Sequence, residues 1–386
     1  MENKKCPACH QTSKALVDWQ FSGLNDSIFN YTANFYCCER CGLVYVDNVS
    51  DSFLARFYQQ ECSYYEKAHF DINSPANIAK YSAYRNVLLD EGLQDCSIMD
   101  IGCGRGGFLL WLTENGWQAE CYGIDVDIKS MPADSTNSQE GYTVKFRQGD
   151  TFAIPGEDAS QQLLSYFHVF EHIRDIDAVL DEAYRVLQTG GTLLIEVPDA
   201  ENYVKQPIGS AFWLGIREHI YHFSAQSLIA SLQRHGFAVS SIRREMLPTP
   251  EFEYPSLMLV AKKEQSTTQM DYSKTADIAS FVTSSQQALF KQAKQIRTLQ
   301  KQYGALTFWG CSSELFSLLP LLADLEFNLC DASKLKQQSL YQGQTIFDPG
   351  QVKIEGLLVV APYLCADVIE QAAINLGWNK NSIIKL

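Results

Sequence analysis

Residues 100–107 read Asp-Ile-Gly-Cys-Gly-Arg-Gly-Gly, directly after the short run Ser97-Ile-Met99 and directly before an apolar stretch of helical character at 108–112. A strand that runs into three spaced glycines and out into a helix is a ligand loop. Gly102, Gly104 and Gly106 allow a tight turn and bring the backbone against a ligand that a Cβ would exclude. Dinucleotide-binding loops space their glycines G-x-G-x-x-G, so that a pyrophosphate rests on the helix N-terminus. This loop reads D-x-G-x-G-x-G, and its leading carboxylate, Asp100, repels phosphate and attracts an ammonium. A ligand with a cationic amino-acid end and a nucleoside end fits it.

The sequence around the loop supports an α/β reading. Helical patterns alternate with short apolar runs at 97–102, 121–125, 162–167 and 192–198, which predicts βαβ units and a mostly parallel sheet. With 386 residues the chain has room for two or three domains. A polar stretch at 262–276 has the composition of a linker. Beyond it, Ile278, Phe281, Val282, Leu289, Ala293 and Ile296 recur at helical spacing, and one long amphipathic helix is expected to end before Gly304. A smaller α/β pattern occupies 306–310, 327–331 and 357–362. The expected organisation is a cysteine-bearing segment at 1–60, an α/β domain at 61–265, a linker and connecting helix at 266–303, and a second α/β domain at 304–386.

Composition narrows the partners. The formal charge of −14, from 31 basic and 45 acidic residues, repels a phosphate backbone, so nucleic acid is not the expected partner. No apolar run approaches the roughly 20 residues needed to span a bilayer. The first residues, MENKKCP, lack the apolar core of a signal peptide, and a cytoplasmic protein without membrane contact is expected.

The glycine loop and the chain downstream of it resemble the class I methyltransferases, which bind S-adenosylmethionine on a Rossmann-like fold. The likeness covers roughly 160 residues in order. It implies that Asp100, Gly102, Gly104 and Gly106 bind the cofactor, with Asp100 toward its ammonium. Asp125, ending YGID, would meet the ribose hydroxyls, and Asp150 with Thr151, after FRQ, would meet the adenine. Phe167 and His168 would line the pocket. The run His168-Val-Phe-Glu-His172 followed by AYRVLQTGGTLLIEVP at 183–198 matches the family's fourth-strand exit, fifth helix and fifth strand. The chain departs from the family at Gln162, where an acid often opens the fourth strand.

Twelve cysteines are present, and five of them crowd into the first 41 residues. Cys6 with Cys9, and Cys38 with Cys41, form two Cys-x-x-Cys pairs, the donor set of a closed tetrahedral zinc site. Gly42 suits the turn of such a knuckle. Cys37 is a competing thiol, and His10, beside Cys9, a bystander. With four thiolates no position stays open, so Zn2+ here would be structural.

The acceptor side is expected from the stretch Ile-Arg-Glu-His-Ile-Tyr-His-Phe-Ser at 216–224. Glu218, His219, Tyr221 and His222 concentrate proton-transfer groups within five residues. A sulfonium methyl donor needs little activation, so the enzyme's task is to deprotonate and align the acceptor. The stretch and the domain plan resemble the zinc-containing sugar C-methyltransferases, which methylate a carbon beside a 4-keto group of a nucleotide-linked deoxysugar. The resemblance implies a second, C-terminal Rossmann-like domain that walls the nucleotide end of the substrate through the loops at 310–313 and 362–363. It makes His219 the base, Glu218 its orienting partner, and Tyr221 or His222 the group that polarises the carbonyl. Arg217 and His222 depart from that family, which often has His and Tyr there. O- or N-methylation of a sugar, a surface-polysaccharide precursor or another small metabolite is the alternative. An RNA methyltransferase with a zinc finger is disfavoured, because the basic Lys4, Lys5, Lys14, Arg40 and Arg56 are balanced by Glu2, Asp18, Asp26, Glu39, Asp47 and Asp51. A second cofactor is not expected in the C-terminal loop, which has one glycine. The sequence leaves the oligomeric state open.

Overall fold

The computed structural model describes residues 3–25, 27–60, 71–127, 132–136, 143–205, 209, 211–264 and 277–386. Its centre is an eight-stranded sheet. Strands Ile98–Ile101, Cys121–Asp125, Thr143–Gln148, Gln161–Phe167 and Leu187–Pro198 run parallel, with Gln161–Phe167 and Cys121–Asp125 on the two sides of Ile98–Ile101. Near-continuous burial along Ile98–Ile101 and over Leu163–Tyr166 is what a parallel sheet covered on both faces demands. The strand order reverses beside Ile98–Ile101. At such a switch point, loops leaving two neighbouring strands diverge and open a crevice at their carboxyl ends.

Two antiparallel strands, Phe237–Pro248 and Glu253–Lys263, complete one edge, the second pairing with Leu187–Pro198. Periodicity gives no sign of them. They also move one boundary: Lys262 and Lys263 belong to a strand rather than to the polar linker. Glu264 follows the strand, and the remainder of that expected linker, 265–276, lies outside the described residues.

The polar, aromatic region between the cysteine pairs forms strands, Thr12–Gln20 and Thr32–Cys38, in a five-stranded sheet with Lys4–Lys5 and Val44–Val46. The fifth strand, Tyr221–His222, comes from the acceptor stretch: Tyr221 pairs with Tyr45 and His222 with Val44. Sequence segments about 180 residues apart are thus hydrogen-bonded into one sheet, and the loop carrying Glu218 and His219 is fastened at its downstream end.

Helix Ile278–Tyr303 buries Ile278, Val282, Ser285, Leu289, Ala293 and Ile296 along one stripe. Asp277 caps its start by accepting from the Ser280 N–H, and Gly304 ends it at φ +89. Its contacts make it a strut. Gln286 donates to the Asp18 carbonyl of the cysteine-bearing sheet, Phe281 packs edge-on against Tyr203, and Arg297 pairs with Asp324 beyond the helix. The C-terminal sheet has six strands. Leu306–Trp309 is parallel to Asn328–Cys330 on one side and to Leu357–Val360 on the other. No helix among the described residues is long and apolar enough to cross a membrane.

Candidate functional site

The glycine loop leaves Ile98–Ile101 at the switch point. The N–H groups of Gly102 and Cys103 both donate to the Ile124 carbonyl, at 2.8 and 3.0 Å, which curls the chain onto the neighbouring strand. Gly104 N–H donates to Asp125 Oδ2 at 2.8 Å, and Asp127 N–H to Asp125 Oδ1 at 2.9 Å. Asp125 therefore clasps the loop. Burial raises its pKa, and the N–H bonds from Asp127 and Gly104 work against that rise. Gly106, at φ +64, caps helix Gly107–Glu114, and a Cβ there would lie 2.2 Å from the Phe146 ring. Gly102 abuts Val169, and a Cβ would fall 2.6 Å from that side chain. At Gly104 a Cβ would meet nothing, so the middle of the loop faces open space.

Asp100 is 4% exposed and accepts from Ser165 Oγ at 2.8 Å. Burial pushes its carboxyl up to about 7, Ser165 holds it down in part, and the nearby Asp125 charge raises it further. A partner cation would favour the ionised form. Asp150 is exposed, accepting from the Phe152 N–H, with Thr151 half-buried beside it. Phe167 stacks on Tyr84 at 3.9 Å and meets Phe108 edge-on at 5.1 Å.

His168 sits at φ +57, in the left-handed region, directly after strand Gln161–Phe167. Its Nδ1 donates to Glu171 Oε1 at 2.9 Å, and its Nε2 faces Glu196 Oε2 at 3.3 Å. Both carboxylates are fully buried. Burial works against a charged imidazole, but Glu196 and Glu171 together outweigh it and raise the His168 pKa. Tyr254 and Ser256 hydroxyls donate to the other oxygen of Glu196, which anchors it from the antiparallel strand.

The turn Phe170–His172 brings in the acceptor stretch. Ile220 N–H donates to the Glu171 carbonyl at 2.9 Å, and His172 Nδ1 donates to the Glu218 carbonyl at 3.1 Å. The rings of His172 and His219 meet at 4.7 Å, nearly perpendicular. Burial, with His172, His168 and His222 adding to it, drives the His219 pKa well down, so this imidazole is neutral at neutral pH. Glu218 meets this group through its backbone carbonyl, where the sequence suggested its carboxylate. Tyr221 and His222 face elsewhere. The Tyr221 hydroxyl donates to the Arg174 carbonyl at 2.6 Å, and His222, 1% exposed, lies between Phe35 and Tyr203 with burial taking its pKa to about 4. The Tyr221 hydroxyl is thus committed to the Arg174 carbonyl and His222 Nδ1 to the Tyr203 hydroxyl at 3.4 Å, and neither belongs to the group formed by Glu171, His172 and His219.

Sequence reasoning missed Glu171 and Glu196 as the frame of this site. Glu171 stood in the HVFEH run, but nothing there reveals that it would be fully buried against two histidines.

Cys6, Cys9, Cys38 and Cys41 converge, buried, with Sγ atoms 3.6 Å apart for Cys6 and Cys41 and 3.3 Å for Cys9 and Cys38. A tetrahedral zinc with sulfurs at about 2.3 Å would set them ~3.8 Å apart. The N–H groups of Arg40 and Cys41 point at the Cys38 sulfur, at 3.4 Å each, a donor pattern suited to a thiolate. The residues fit the metal. Cys37 donates to a backbone carbonyl and His10 pairs with Asp177, and both stand outside the four-sulfur group.

Residues 74–242 match the family described as a methyltransferase domain. Relatives include ajmaline N-methyltransferase of Rauvolfia serpentina, 26% identical over 164 residues, which are 37% of this chain and 56% of that protein. Demethylmenaquinone methyltransferase of Thermus thermophilus is 29% identical over 99 residues, 25% of this chain and 45% of that protein. The chain thus spans about half the length of these two relatives. A solved S-adenosylmethionine-dependent methyltransferase from Methanosarcina mazei aligns with a TM-score of 0.39 and 18% identity, covering 47% of this chain and 98% of that one. Residues 74–242 are thus the part of this chain that is similar to methyltransferases.

Proposed function

We propose that the protein methylates a small molecule whose acceptor atom must first lose a proton, and that the acceptor is a carbon beside the keto group of a nucleotide-linked deoxysugar. One observation carries this reading. A neutral histidine, His219, is held against His172 and the buried Glu171, at the end of the strand that neighbours the glycine loop. A neutral imidazole beside a fixed carboxylate can take a proton and keep the resulting charge balanced. A base of this kind is what a carbon or oxygen acceptor needs, whereas an amine needs only to lose its proton to water.

In this reading Asp100 receives the cofactor's ammonium, Asp125 and the open space at Gly104 receive the nucleoside end, and His219 removes the acceptor's α-proton. The anion so formed attacks the methyl in line. The four cysteines would hold a structural Zn2+ that contributes folding energy and no chemistry, keeping the sheet that clamps Tyr221 and His222 in register. The alkaloid and quinone methyltransferases act on small molecules by their names, which supports a small-molecule acceptor without choosing the sugar.

The test separates deprotonation from transfer. The enzyme is incubated in deuterium oxide with S-adenosylhomocysteine and a panel of nucleotide-linked 4-keto deoxysugars, and deuterium uptake is read by mass spectrometry. Uptake that vanishes in His219→Ala is expected. No uptake across the panel, with cofactor binding intact, would move the acceptor to oxygen or nitrogen.

A further inference from the structure

Glu171, His172 and His219 each bring a ligand atom to within 4.8 Å of the other two. Three features set the group apart from packed polar residues. Glu171 is fully buried, and its Oε2 has no hydrogen-bond partner among the described residues; the same holds for Nδ1 of His219. Leaving a buried polar atom unpaired costs about 1–3 kcal/mol, and more when it is charged, so two such atoms in one cluster mark a place for an occupant. His172 is held in one orientation. Its Nδ1–H is given to the Glu218 carbonyl, which turns Nε2 toward Glu171 Oε1 at 3.8 Å. Metal-binding histidines are held in this way, by a carbonyl on the far nitrogen. The carboxylate has its own support, since Glu171 Oε1 accepts from His168 at 2.9 Å.

We propose that Glu171, His172 and His219 bind a divalent transition-metal ion, and that the ion competes with proton removal at His219. Two imidazoles and one carboxylate suit zinc, cobalt, nickel or manganese, where magnesium or calcium would want more oxygen. Nitrogen and carboxylate ligands sit about 2.0–2.2 Å from such an ion, so their mutual distances are at most ~4.4 Å, and the 3.8 Å between His172 Nε2 and Glu171 Oε1 lies within that limit. Three protein ligands leave a coordination position open. The cluster shares no residue with the four cysteines, and its donors are harder. The competitive consequence rests on the reading of His219 as a base, because one lone pair cannot hold a metal and accept a proton; the site itself does not.

The full-length chain is titrated with Co2+ and read by visible absorption. A cobalt site made of nitrogen and oxygen donors gives d–d bands without the thiolate-to-cobalt charge transfer that the cysteines would produce. We expect one equivalent of such cobalt, bound at least about tenfold more weakly in His172→Ala and in Glu171→Gln, and deuterium uptake by a keto-sugar acceptor that falls in step with occupancy. His219→Ala, altering a half-buried ring, replaces Glu171→Gln if near-ultraviolet circular dichroism shows that variant unfolded. Absence of these bands, or bands that persist in the folded variants, overturns the site. Cobalt that binds without slowing exchange overturns the competition. Bands present with no exchange even in metal-free enzyme would uphold the site and refute the base.

Discussion

In the central sheet, Gly104 N–H donates to one oxygen of Asp125 and Asp127 N–H to the other, at 2.8 and 2.9 Å. In the C-terminal sheet, Cys311 N–H donates to one oxygen of Asp331 and Ser333 N–H to the other, both at 2.8 Å. The same clasp recurs because the same local problem recurs. A loop leaving one parallel strand presents unpaired N–H groups, and an acid ending the next strand satisfies them. The acid is therefore no sign of a cofactor by itself. The surroundings differ instead. Two residues before its glycine the second loop has Phe308, where the first has the buried Asp100. Its only glycine, Gly310, is packed so that a Cβ would lie 2.3 Å from Pro362, whereas Gly104 faces open space. Lys336 sits on Asp331 at 3.1 Å and neutralises it. The first loop keeps a charge and a void; the second fills both.

The largest expected effect lies in a part that neither loop contains. Structural zinc sites supply on the order of 10 kcal/mol of folding free energy. Metal analysis should find one zinc per chain, and Cys38→Ser should lose it and lower the thermal unfolding midpoint steeply. Well under one zinc per chain in unstripped protein would rule the metal out. The damage should reach the acceptor side first, because Tyr221–His222 is paired to this sheet.

Next in size is a matched pair of glycine substitutions. Gly106→Ala places a Cβ in the Phe146 ring at φ +64, and Gly310→Ala places one in Pro362 at φ +101. Left-handed backbone costs a residue with a Cβ about 1–2 kcal/mol, and overpacking adds about 1–3. Both should destabilise similarly in chemical denaturation. Calorimetry should show S-adenosylmethionine affinity falling at least tenfold in the first variant only; equal losses in both would make the loops functionally equivalent.

The smallest effect is a pH dependence. The Asp100 carboxyl, raised to about 7 by burial, carries a penalty for ionising in the folded chain. Its contribution to stability is therefore full below about pH 4 and is lost as pH rises to about 7. A bound ammonium reverses the preference, so cofactor affinity should rise between pH 6 and 7, level off above, and be accompanied by proton release at the lower pH. Calorimetry in buffers of different ionisation enthalpy reads that release. A flat profile would mean that Asp100 does not face the ammonium.

Much of this contrast is legible in the sequence. The three glycines, the acid ending YGID and the two Cys-x-x-Cys pairs are local patterns, and the backbone turns they require are set by neighbours in sequence. The hairpin of Phe237–Pro248 and Glu253–Lys263 is not legible, because its first strand has an irregular burial pattern and its second is buried almost throughout, so neither alternates cleanly. Glu171 and Glu196 are hidden for another reason. Glu196 is buried among His168, Tyr254 and Ser256, which arrive from other strands and turns, and sequence spacing carries no trace of such partners. Glu171 has its partner His168 three residues away, but nothing local shows that the pair is buried. The roles expected for Tyr221 and His222 fall to a long-range pairing with Val44–Val46.

The most direct measurement is isothermal titration of the full-length chain with S-adenosylhomocysteine, run on the wild type, Asp125→Ala and Asp331→Ala. The expected result is one cofactor per chain, binding weakened at least tenfold in Asp125→Ala, and binding unchanged in Asp331→Ala even though that variant loses the same two backbone hydrogen bonds. Two cofactors per chain, or a loss in Asp331→Ala matching that in Asp125→Ala, would contradict the assignment of the cofactor to the first loop alone.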